Sequence, residues 1–299
     1  MSAPPPRLIA MCGRYAQARN QHELQSAFGF PEIGAAERES EGTRAWPPLE
    51  ELQPDYNVAP GKSVYAVLGT PPGEAGQGER QAGPQALRTL RWGLVPSWAK
   101  DANIGYKMIN ARSETVAEKP AFRAAFARRR CLLPADAYYE WQLLPEQAPG
   151  TTEPGTSPVT DPEHKRRKAK AKKRPYAIGY ADGSPLALAG LFERWRDPQR
   201  AEDDPGAWLW SCTVVTTEAA PELSGIHERM PVVVPRDDWA TWLDPAAELA
   251  DLKHVMASTP VRDFAIHQVS TAVNSVRNNG SELLRPVAEE PSPESDTLF

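Results

Sequence analysis

Cys12, within the stretch Met11–Tyr15 (M-C-G-R-Y), is the residue with the most distinctive potential chemistry in the chain. If everything through Met11 is removed, Cys12 carries an α-amine and a thiol on adjacent carbons. The ordinary pKa values of these groups are about 8 and about 8.5, so each has a reactive, deprotonated fraction near neutral pH. Such a residue can condense with an aldehyde and then close a five-membered ring through sulfur. The alternative is a cysteine buried in a first strand.

Glu140 and His227 are candidates for proton transfer. Glu140 lies between Tyr139 and Trp141 in an otherwise apolar stretch. Burial there would raise its pKa, which suits a general acid or base. The alternative is a structural glutamate paired with an arginine. His227 lies in a charged loop and could exchange a proton near neutral pH, although a surface histidine would look the same.

Asn110 and Arg112 are two residues apart in a short polar stretch, Ile109–Glu114. In an extended backbone, residues i and i+2 point to the same side, so both could face one pocket. An asparagine can fix a reacting group by hydrogen bonds, and an arginine can hold a phosphate with two parallel hydrogen bonds. Turn capping and a surface ion pair remain the alternatives for this pair.

Aromatic and basic residues suggest a nucleic-acid surface, with rings stacking on bases and arginines on phosphates. The candidates are Trp92, Trp98, Tyr106, Arg14, Arg112 and Arg229. Trp98 follows Pro96-Ser97 in a loop and is the better stacking candidate, whereas Trp92 is expected in the core. The basic tract at 164–174 could add salt-dependent attraction to nucleic acid, or could be a solvated loop.

Composition favours one large intracellular domain. The chain has 299 residues, 40% hydrophobic content and a net charge of −5, which argues against a protein that is basic over its whole surface. Three distant cysteines form no disulfide framework and no C-x-x-C metal motif, which predicts a reducing, cytoplasmic location, with nucleoid association in a bacterium. No stretch is typical of a membrane span or a signal peptide.

Known cofactor and metal motifs are missing from the sequence. It contains no G-x-S-x-G, H-E-x-x-H, P-loop or dinucleotide-binding motif, and its five histidines have no metal-binding spacing. We therefore expect no cofactor, no metal ion and no membrane partner, and we expect a monomer.

The order of elements predicts an α+β fold with a largely antiparallel sheet, because strands dominate and no regular β-α-β alternation occurs. A short helix is predicted from a capping box at Asn20 and Glu23. A second is predicted from Pro120, and two more near 237–243 and 252–256. The predicted strands are 12–17, 64–68, 88–98, 131–141, 176–180, 186–195, 208–217, 232–234 and 264–270.

Three polar segments interrupt this pattern and predict surface insertions rich in Pro, Gly or charge. They are residues 31–54, 69–86 and 143–174. The last of them contains eight Lys/Arg and no acid between residues 165 and 174. We expect one domain at 12–286, a leader at 1–11 that is removed or not translated, and an acidic disordered tail at 287–299.

Nine short motifs in order resemble those of one family. They are M-C-G-R-Y, N-V-A-P-G, R-W-G-L-V-P-S-W, I-N-A-R-S-E-T, R-R-C-L-L-P-A-D, Y-Y-E-W, A-G-L-F-E, I-H-E-R-M-P and V-N-S-V-R-N-N-G. Between Met11 and Pro286 the chain is similar to the SOS response-associated peptidase (SRAP) family. The resemblance implies a barrel-like β core with short peripheral helices.

The resemblance also implies a DNA-repair protein that senses abasic sites in single-stranded DNA and shields them. Its N-terminal cysteine forms a covalent thiazolidine crosslink to the ring-opened sugar. The residues implied as catalytic are Cys12, Asn110, Glu140 and His227. Those implied as DNA-binding are Arg14, Pro60, Trp98, Arg112 and Arg229.

One departure concerns the ten residues before Met11, since the family's cysteine normally follows the initiator methionine. Translation from Met11 with removal of that methionine would free the amine of Cys12, and so would self-cleavage before Cys12. Two other functions fit the same residues. One is a thiol peptidase with Cys12 as the nucleophile, and the other is a non-covalent reader of damaged or modified DNA.

Overall fold

The computed structural model describes residues 12–30, 49–69, 86–144, 172–201 and 204–287. Within these ranges the chain forms twelve β-strands. They are β1 (Tyr15–Gln17), β2 (Asp55–Val58), β3 (Ser63–Leu68), β4 (Ala86–Trp92), β5 (Asn110–Arg112), β6 (Arg130–Ala135), β7 (Ala137–Leu143), β8 (Lys173–Tyr180), β9 (Leu186–Arg196), β10 (Trp208–Glu218), β11 (Arg229–Pro231) and β12 (Phe264–Gln268).

The helices of the described ranges are short and lie between strands. The α-helices are α1 (Gln21–Phe28), α2 (Arg123–Arg128), α3 (Pro221–Ser224), α4 (Trp239–Leu243) and α5 (Leu249–Ala257). The 3₁₀ helices are Ala102–Lys107, Pro205–Ala207, Arg236–Asp238, Val261–Asp263, Thr271–Asn274 and Ser281–Leu284. None of the helices in the described part of the chain combines the length and the apolar character needed to cross a membrane.

Five strands close into a small barrel in the order β10-β4-β3-β6-β9. The ring closes because β9 pairs with β10 along most of its length, from Trp208↔Arg196 to Val214↔Gly190. Neighbouring strands are antiparallel except for β10 and β4, which are parallel. Strands β5 and β11 extend the same sheet along β10. This arrangement confirms the predicted α+β class with a barrel-like, mostly antiparallel core.

A second sheet lies beside the barrel in the order β12-β8-β7-β1-β2, and all its pairs are antiparallel. Only Asp136 separates β6 of the barrel from β7 of this sheet. Gln17 of β1 adds a cross-connection through its buried side-chain amide. Its Nε2 donates to the carbonyls of Tyr65 (3.2 Å) and Pro134 (2.7 Å), and its Oε1 accepts from the N–H of Tyr65 (2.7 Å).

Strand β3 is buried on both faces, which explains its continuous apolar sequence. Tyr65 and Val67 pack in a cluster that includes side chains of α1 and α4. The alternate residues Val64, Ala66 and Leu68 pack in a cluster that includes Tyr15 and Tyr138 of the second sheet. The barrel wall therefore lies between the helices and the sheet that leads to Glu140.

Several predicted elements are confirmed. Asn20 Oδ1 accepts from the N–H of Glu23 (2.9 Å), and the Glu23 carboxylate accepts from the N–H of Asn20 (2.8 Å), so the capping box starts α1 as expected. The helix predicted from Pro120 has the expected buried face, but it begins at Arg123 and Pro120 lies in the preceding turn. The strands predicted at 176–180, 186–195 and 208–217 are present, each slightly longer than predicted.

Three local predictions were wrong in the described chain. Tyr56–Val58 is missing from the predicted strands but belongs to β2. Asn110–Arg112 is also missing from them but forms β5, because β10 supplies a parallel partner that the sequence of three residues does not reveal. The strand predicted at 232–234 is instead formed by Arg229–Pro231, which pairs with the end of β10.

The predicted insertions fall mainly outside the described residues, as do the predicted leader 1–11 and the tail beyond Val287. Their described edges are ordered parts of the fold. Leu49 and Leu52, assigned to the first insertion, pack against the core. Leu143 and Lys173, at the two ends of the third insertion, pair with each other in β7 and β8.

Candidate functional site

A cleft of about 490 Å³ opens at the end of the second sheet nearest Glu140. We call it the Glu140 cleft. Four of the residues predicted for the site line it, namely Arg14, Pro60, Glu140 and His227. Residues far apart in sequence meet there because β1 pairs with β7, while the loop after α3 packs against β7.

Cys12 lies beside Glu140 because of the register of β1 against β7. Tyr15 pairs with Tyr138, and the N–H of Tyr139 donates to the carbonyl of Arg14 (3.0 Å). Continuing this antiparallel register brings residues 12 and 13 alongside Glu140. Cys12 is only 1% exposed, so its side chain lies behind the cleft wall, of which Gly13 forms part.

Burial controls the protonation of both groups. Burial raises the pKa of Glu140 to about 8, whereas polar contacts from the backbone N–H and thiol of Cys12 and the positive charge of Lys173 act in the opposite direction. The pKa of the Cys12 thiol is raised well above its ordinary value, first by burial and then by the carboxylate charge. Near neutral pH Glu140 is therefore a proton donor and Cys12 a neutral thiol.

Asn110 holds the backbone of Cys12. Its Nδ2 donates to the carbonyl oxygen of Cys12 at 3.1 Å. The strand pairing that fixes Asn110 is parallel, with Val214 of β10 as its partner. Asn110 therefore contacts the backbone of Cys12 directly, and its role in the chemistry stays a prediction.

His227 presents one ring nitrogen to the protein and the other to the site. Its Nδ1 lies 3.0 Å from the backbone nitrogen of Arg229 and 3.1 Å from the Arg229 carbonyl, so it can accept from the first or donate to the second, depending on which ring nitrogen carries the proton. Nε2 is buried and has no hydrogen-bond partner among the described residues. His227 and Glu140 line a narrow recess together with Tyr138 and Arg229. An imidazole nitrogen with no partner and a protonated carboxyl therefore share one small space.

The three predicted phosphate-binding arginines occupy different settings. Arg14 lines the cleft, and its Nη1 donates to Asn57 Oδ1 (2.8 Å) and to the Val273 carbonyl (2.9 Å). Arg229 lines the inner recess, and its guanidinium holds both oxygens of Glu114, at 2.5 and 3.0 Å. Arg112 is exposed on β5 and does not line the cleft.

Of the aromatic candidates, Trp92 is buried and Trp98 is exposed, as the sequence indicated. Trp92 is buried, and its Nε1 donates to the Ile109 carbonyl (3.0 Å), so it belongs to the core. Trp98 and Tyr106 are 59% and 55% exposed, but the Arg91 guanidinium lies over the Tyr106 ring, 5.2 Å from its centroid. Tyr106 packs on Gly61, where φ is +92° and a Cβ would lie 2.9 Å from the ring.

Comparison with known proteins identifies the family. The sequence profile described as SOS response associated peptidase (SRAP) matches residues 11–276. The chain belongs to the SRAP family. It is 38% identical over 238 residues to the abasic site processing protein YoaM of Bacillus subtilis, covering 79% of this chain and 87% of that protein. It is 31% identical over 285 residues to the abasic site processing protein HMCES of Gallus gallus, covering 93% and 78% of the two chains.

A solved structure supports the SRAP fold. The crystal structure of a protein from Bacteroides thetaiotaomicron matches with a TM-score of 0.64 at 18% identity, covering 93% of this chain and all of that one. At that identity the similarity supports the fold alone. It agrees with the barrel and the adjoining sheet described above.

Sequence reasoning missed two residues of this SRAP cleft. Trp141 lines it under the guanidinium of Arg14, which lies 5.9 Å from the ring centroid, and was noted only as a neighbour of Glu140. Lys173 also lines the cleft but was assigned to a polar insertion. One sequence signal could have placed Lys173 in a strand. Buried and less buried positions alternate directly after the basic tract, where Pro175 and Ala177 are buried.

The other candidate nucleophiles and metal ligands do not form a second site in the described chain. Cys131 and Cys212 are buried, and burial raises the pKa of both thiols. Among the residues that the structure describes, no three His, Cys, Asp or Glu side chains are grouped so that they could hold a metal ion.

Proposed function

We propose that this protein captures abasic sites in single-stranded DNA through a thiazolidine bond formed by Cys12, once Cys12 is the N-terminal residue. The observation that carries the proposal is the convergence of Cys12, Asn110, Glu140 and His227 at one cleft. The similarity to proteins named for abasic site processing supports the substrate. An abasic sugar in its ring-opened form is an aldehyde, which is the electrophile that an amine and a thiol on adjacent carbons capture together.

The protonation states favour attack by the amine first. Burial keeps the Cys12 thiol protonated, whereas a terminal amine with an ordinary pKa of about 8 has a neutral fraction near pH 7. The amine nitrogen adds to the aldehyde carbon, and the carbonyl oxygen becomes a hydroxyl. Glu140, protonated near neutral pH, donates its proton to that hydroxyl as it leaves as water, which yields a protonated imine (iminium) and the Glu140 carboxylate.

Ring closure then uses the thiol. Its sulfur adds to the iminium carbon as the thiol proton passes to the Glu140 carboxylate, and the nitrogen keeps its N–H and becomes neutral. The product is a thiazolidine, and the complete reaction releases one water molecule. The amine, thiol and carboxyl are already adjacent. Each step therefore takes place within one complex and needs no further encounter in solution, which accelerates the reaction.

The remaining residues position the reactants. Asn110 anchors the Cys12 carbonyl, so the amine stays beside Glu140. His227 presents Nε2 to the recess, and in the tautomer with the proton on Nε2 it can donate to the sugar oxygen during ring opening. Arg14 and Arg229 would contact phosphates at the cleft, with Arg112 further along the strand. Pro60, on the cleft wall, and the exposed Trp98 would contact the flanking nucleotides.

This chemistry requires that residues 1–11 be absent from the active form, because a peptide bond to Met11 removes the reactive amine. We propose translation from Met11 followed by removal of that methionine, with self-cleavage before Cys12 as the alternative route. Intact-mass analysis of the protein from its native cell distinguishes a chain that begins at Cys12 from one that keeps the preceding residues.

The direct test mixes the protein beginning at Cys12 with single-stranded oligonucleotides, with and without one abasic site, and separates the products on a denaturing gel. We expect a heat-stable shifted band only with the abasic site. Cys12→Ala abolishes the band and Cys12→Ser prevents the thiazolidine, whereas Cys212→Ala, which removes another buried thiol, keeps it. A correctly trimmed protein that never becomes attached to abasic DNA contradicts the proposal.

The family description also names a peptidase, so thiol-dependent cleavage of other proteins is a second candidate. It predicts peptide turnover by the trimmed protein without DNA. The burial of Cys12 and its raised thiol pKa disfavour it, because the thiolate is the nucleophile of a cysteine peptidase.

A further inference from the structure

Lys173 is a cation on the wall of the Glu140 cleft that none of the roles above uses. It is the first residue of β8 and pairs with Leu143, and both side chains line the cleft. The residue is exposed, and although its backbone belongs to the β7–β8 ladder, its side chain has no hydrogen bond or ion pair with another described residue. Glu228 also lines the cleft, but no ion pair joins it to Lys173.

The arginines that line the cleft and its recess are held differently. Arg14 is tied to Asn57 and to a backbone carbonyl, and Arg229 is tied to both oxygens of Glu114. Each must share or exchange a protein partner before it binds a phosphate. An exposed ammonium group on a flexible stem can bind one without breaking such a contact.

Lys173 is also close enough to Glu140 to act on it. Its positive charge lowers the pKa of Glu140, against the larger effect of burial. The neighbouring Arg174 points to the opposite face of the strand, because successive side chains of a strand alternate, and it does not line the cleft. The basic tract therefore ends with one cation directed at the site and the next directed away from it.

We propose that Lys173 binds a backbone phosphate of the strand that carries the abasic site, and so couples DNA binding to the Glu140 carboxyl. The inference rests on the proposed function. A phosphate at Lys173 cancels the charge that favours ionised Glu140. Bound DNA thereby keeps the carboxyl protonated at the step in which it must donate a proton.

The test measures how the affinity of the protein beginning at Cys12 falls with salt. The probe is a labelled single-stranded oligonucleotide with one tetrahydrofuran residue, an abasic analogue that has no aldehyde and cannot be crosslinked. Each phosphate neutralised in a single strand contributes about 0.7 to the slope of log K against log [salt]. We expect Lys173→Gln to reduce the slope by about 0.7 and Lys173→Arg to retain it. Arg174→Gln, the matched control, should leave it unchanged.

A second measurement detects the coupling. In crosslinking at sub-saturating abasic oligonucleotide, where the pH profile reports the free protein, Lys173→Gln should shift the loss of rate at alkaline pH to higher pH, because Glu140 then ionises less readily. Lys173→Arg should not. At saturating oligonucleotide the phosphate has already cancelled the Lys173 charge, so the alkaline limbs of the parent protein and Lys173→Gln should coincide. An unchanged salt slope in Lys173→Gln, with normal crosslinking by the parent protein, overturns this inference alone. Failure of the parent protein to crosslink overturns the proposed function, and the salt slope on the analogue still reports on Lys173.

Discussion

Glu140 is a carboxyl group with 3% of its surface exposed, one oxygen of which has no partner among the described residues. The groups that face it are Cys12, Tyr138, Lys173, His227 and Arg229. Burial outweighs these neighbours, so the pKa of Glu140 rises to about 8 from an ordinary 4.5. The packing around Glu140 therefore makes it a carboxyl group that can donate a proton near neutral pH.

This environment predicts a bell-shaped dependence of the crosslinking rate on pH. The rate should rise as the Cys12 amine loses its proton, which also removes the ammonium charge that lowers the pKa of Glu140 in the trimmed protein, and should fall at more alkaline pH as Glu140 ionises. Glu140→Gln should remove the falling limb and reduce the rate by roughly 10²- to 10⁴-fold. Single-turnover rates from quenched gels measure both effects. Glu228→Gln, on the cleft wall, is the control, and an alkaline limb that persists in Glu140→Gln would assign it to another group.

The same pKa shift has a consequence for stability. Between pH 4.5 and about 8 the folded protein keeps the Glu140 proton while the unfolded chain has lost it. Stability therefore decreases as pH rises through this window. Glu140→Gln should flatten the dependence, which thermal unfolding at pH 5 and pH 8 measures. An equal loss of Tm in both proteins would show that Glu140 does not contribute.

Glu114 controls the availability of Arg229. The side chain of Glu114 is 48% exposed and that of Arg229 is 13% exposed, so the pair lies at the boundary of the site. If Arg229 binds phosphate, Glu114 competes with DNA. An exposed ion pair contributes up to about 1 kcal/mol, so Glu114→Gln should tighten binding of an abasic oligonucleotide by about two- to five-fold. Fluorescence anisotropy measures this, with Glu118→Gln as control. Weaker binding would instead indicate that Glu114 positions Arg229.

At the scale of elements, Asn57 of β2 joins the site sheet to the segment after β12. It is fully buried, and its Nδ2 lies within hydrogen-bond distance of the carbonyls of Val273 (3.2 Å), Ser275 (2.9 Å) and Asn278 (3.0 Å). Its Oδ1 accepts from Arg14. One amide group thus determines both the path of this segment and the direction of a cleft arginine.

Asn57→Ala should therefore destabilise the protein strongly. It leaves several buried acceptors without a donor, at about 1–3 kcal/mol each, so we expect a loss of roughly 3 kcal/mol or more. Crosslinking should also slow because Arg14 loses its anchor. Urea unfolding measures the stability, and Asn103→Ala, at an exposed asparagine, should have little effect. A loss below about 1 kcal/mol would mean that water replaces the amide.

The elements that the sequence predicted well are those with a local signal. The capping box at Asn20 and the long apolar runs of β9 and β10 contain their own evidence. Strands β5 and β11 have three residues each and exist because β10 offers edges on which they pair. No periodicity can be read from three residues, so a polar stretch such as Asn110–Arg112 resembles a loop until its partner is known.

The candidate site shows the same division. The chemistry was indicated by the residue types of Cys12, Glu140 and His227 and by the family motifs. The structure brings these three residues together. Pairing of distant strands determined which cations face the cleft, so Lys173 and the pairing of Arg229 with Glu114 could not be predicted from neighbouring residues. Trp98 and Arg112 lie outside the cleft wall, and their roles remain predictions.

At the scale of the whole molecule, a one-residue crossover and a buried side-chain amide are two of the connections between the barrel and the second sheet. The chain passes from β6 to β7 through Asp136, and the amide of Gln17 makes three hydrogen bonds from β1 to β3 and β6. Since β1 also leads back to Cys12, this residue is anchored to the barrel core. A site assembled from distant segments keeps its geometry only if these two units stay together.

This connection predicts that the two units unfold together. Urea unfolding followed by tryptophan fluorescence and by far-UV circular dichroism should give coincident transitions. Gln17→Ala leaves Tyr65 and Pro134 with buried unpaired groups, so its midpoint should correspond to a loss of about 2–4 kcal/mol with an unchanged m-value. The crosslinking rate should also fall. Gln199→Ala, at an exposed position, should change neither the stability nor the crosslinking rate. Two separate transitions in the parent protein would show that the sheets are independent, and Gln17 would then be a local contact of β1.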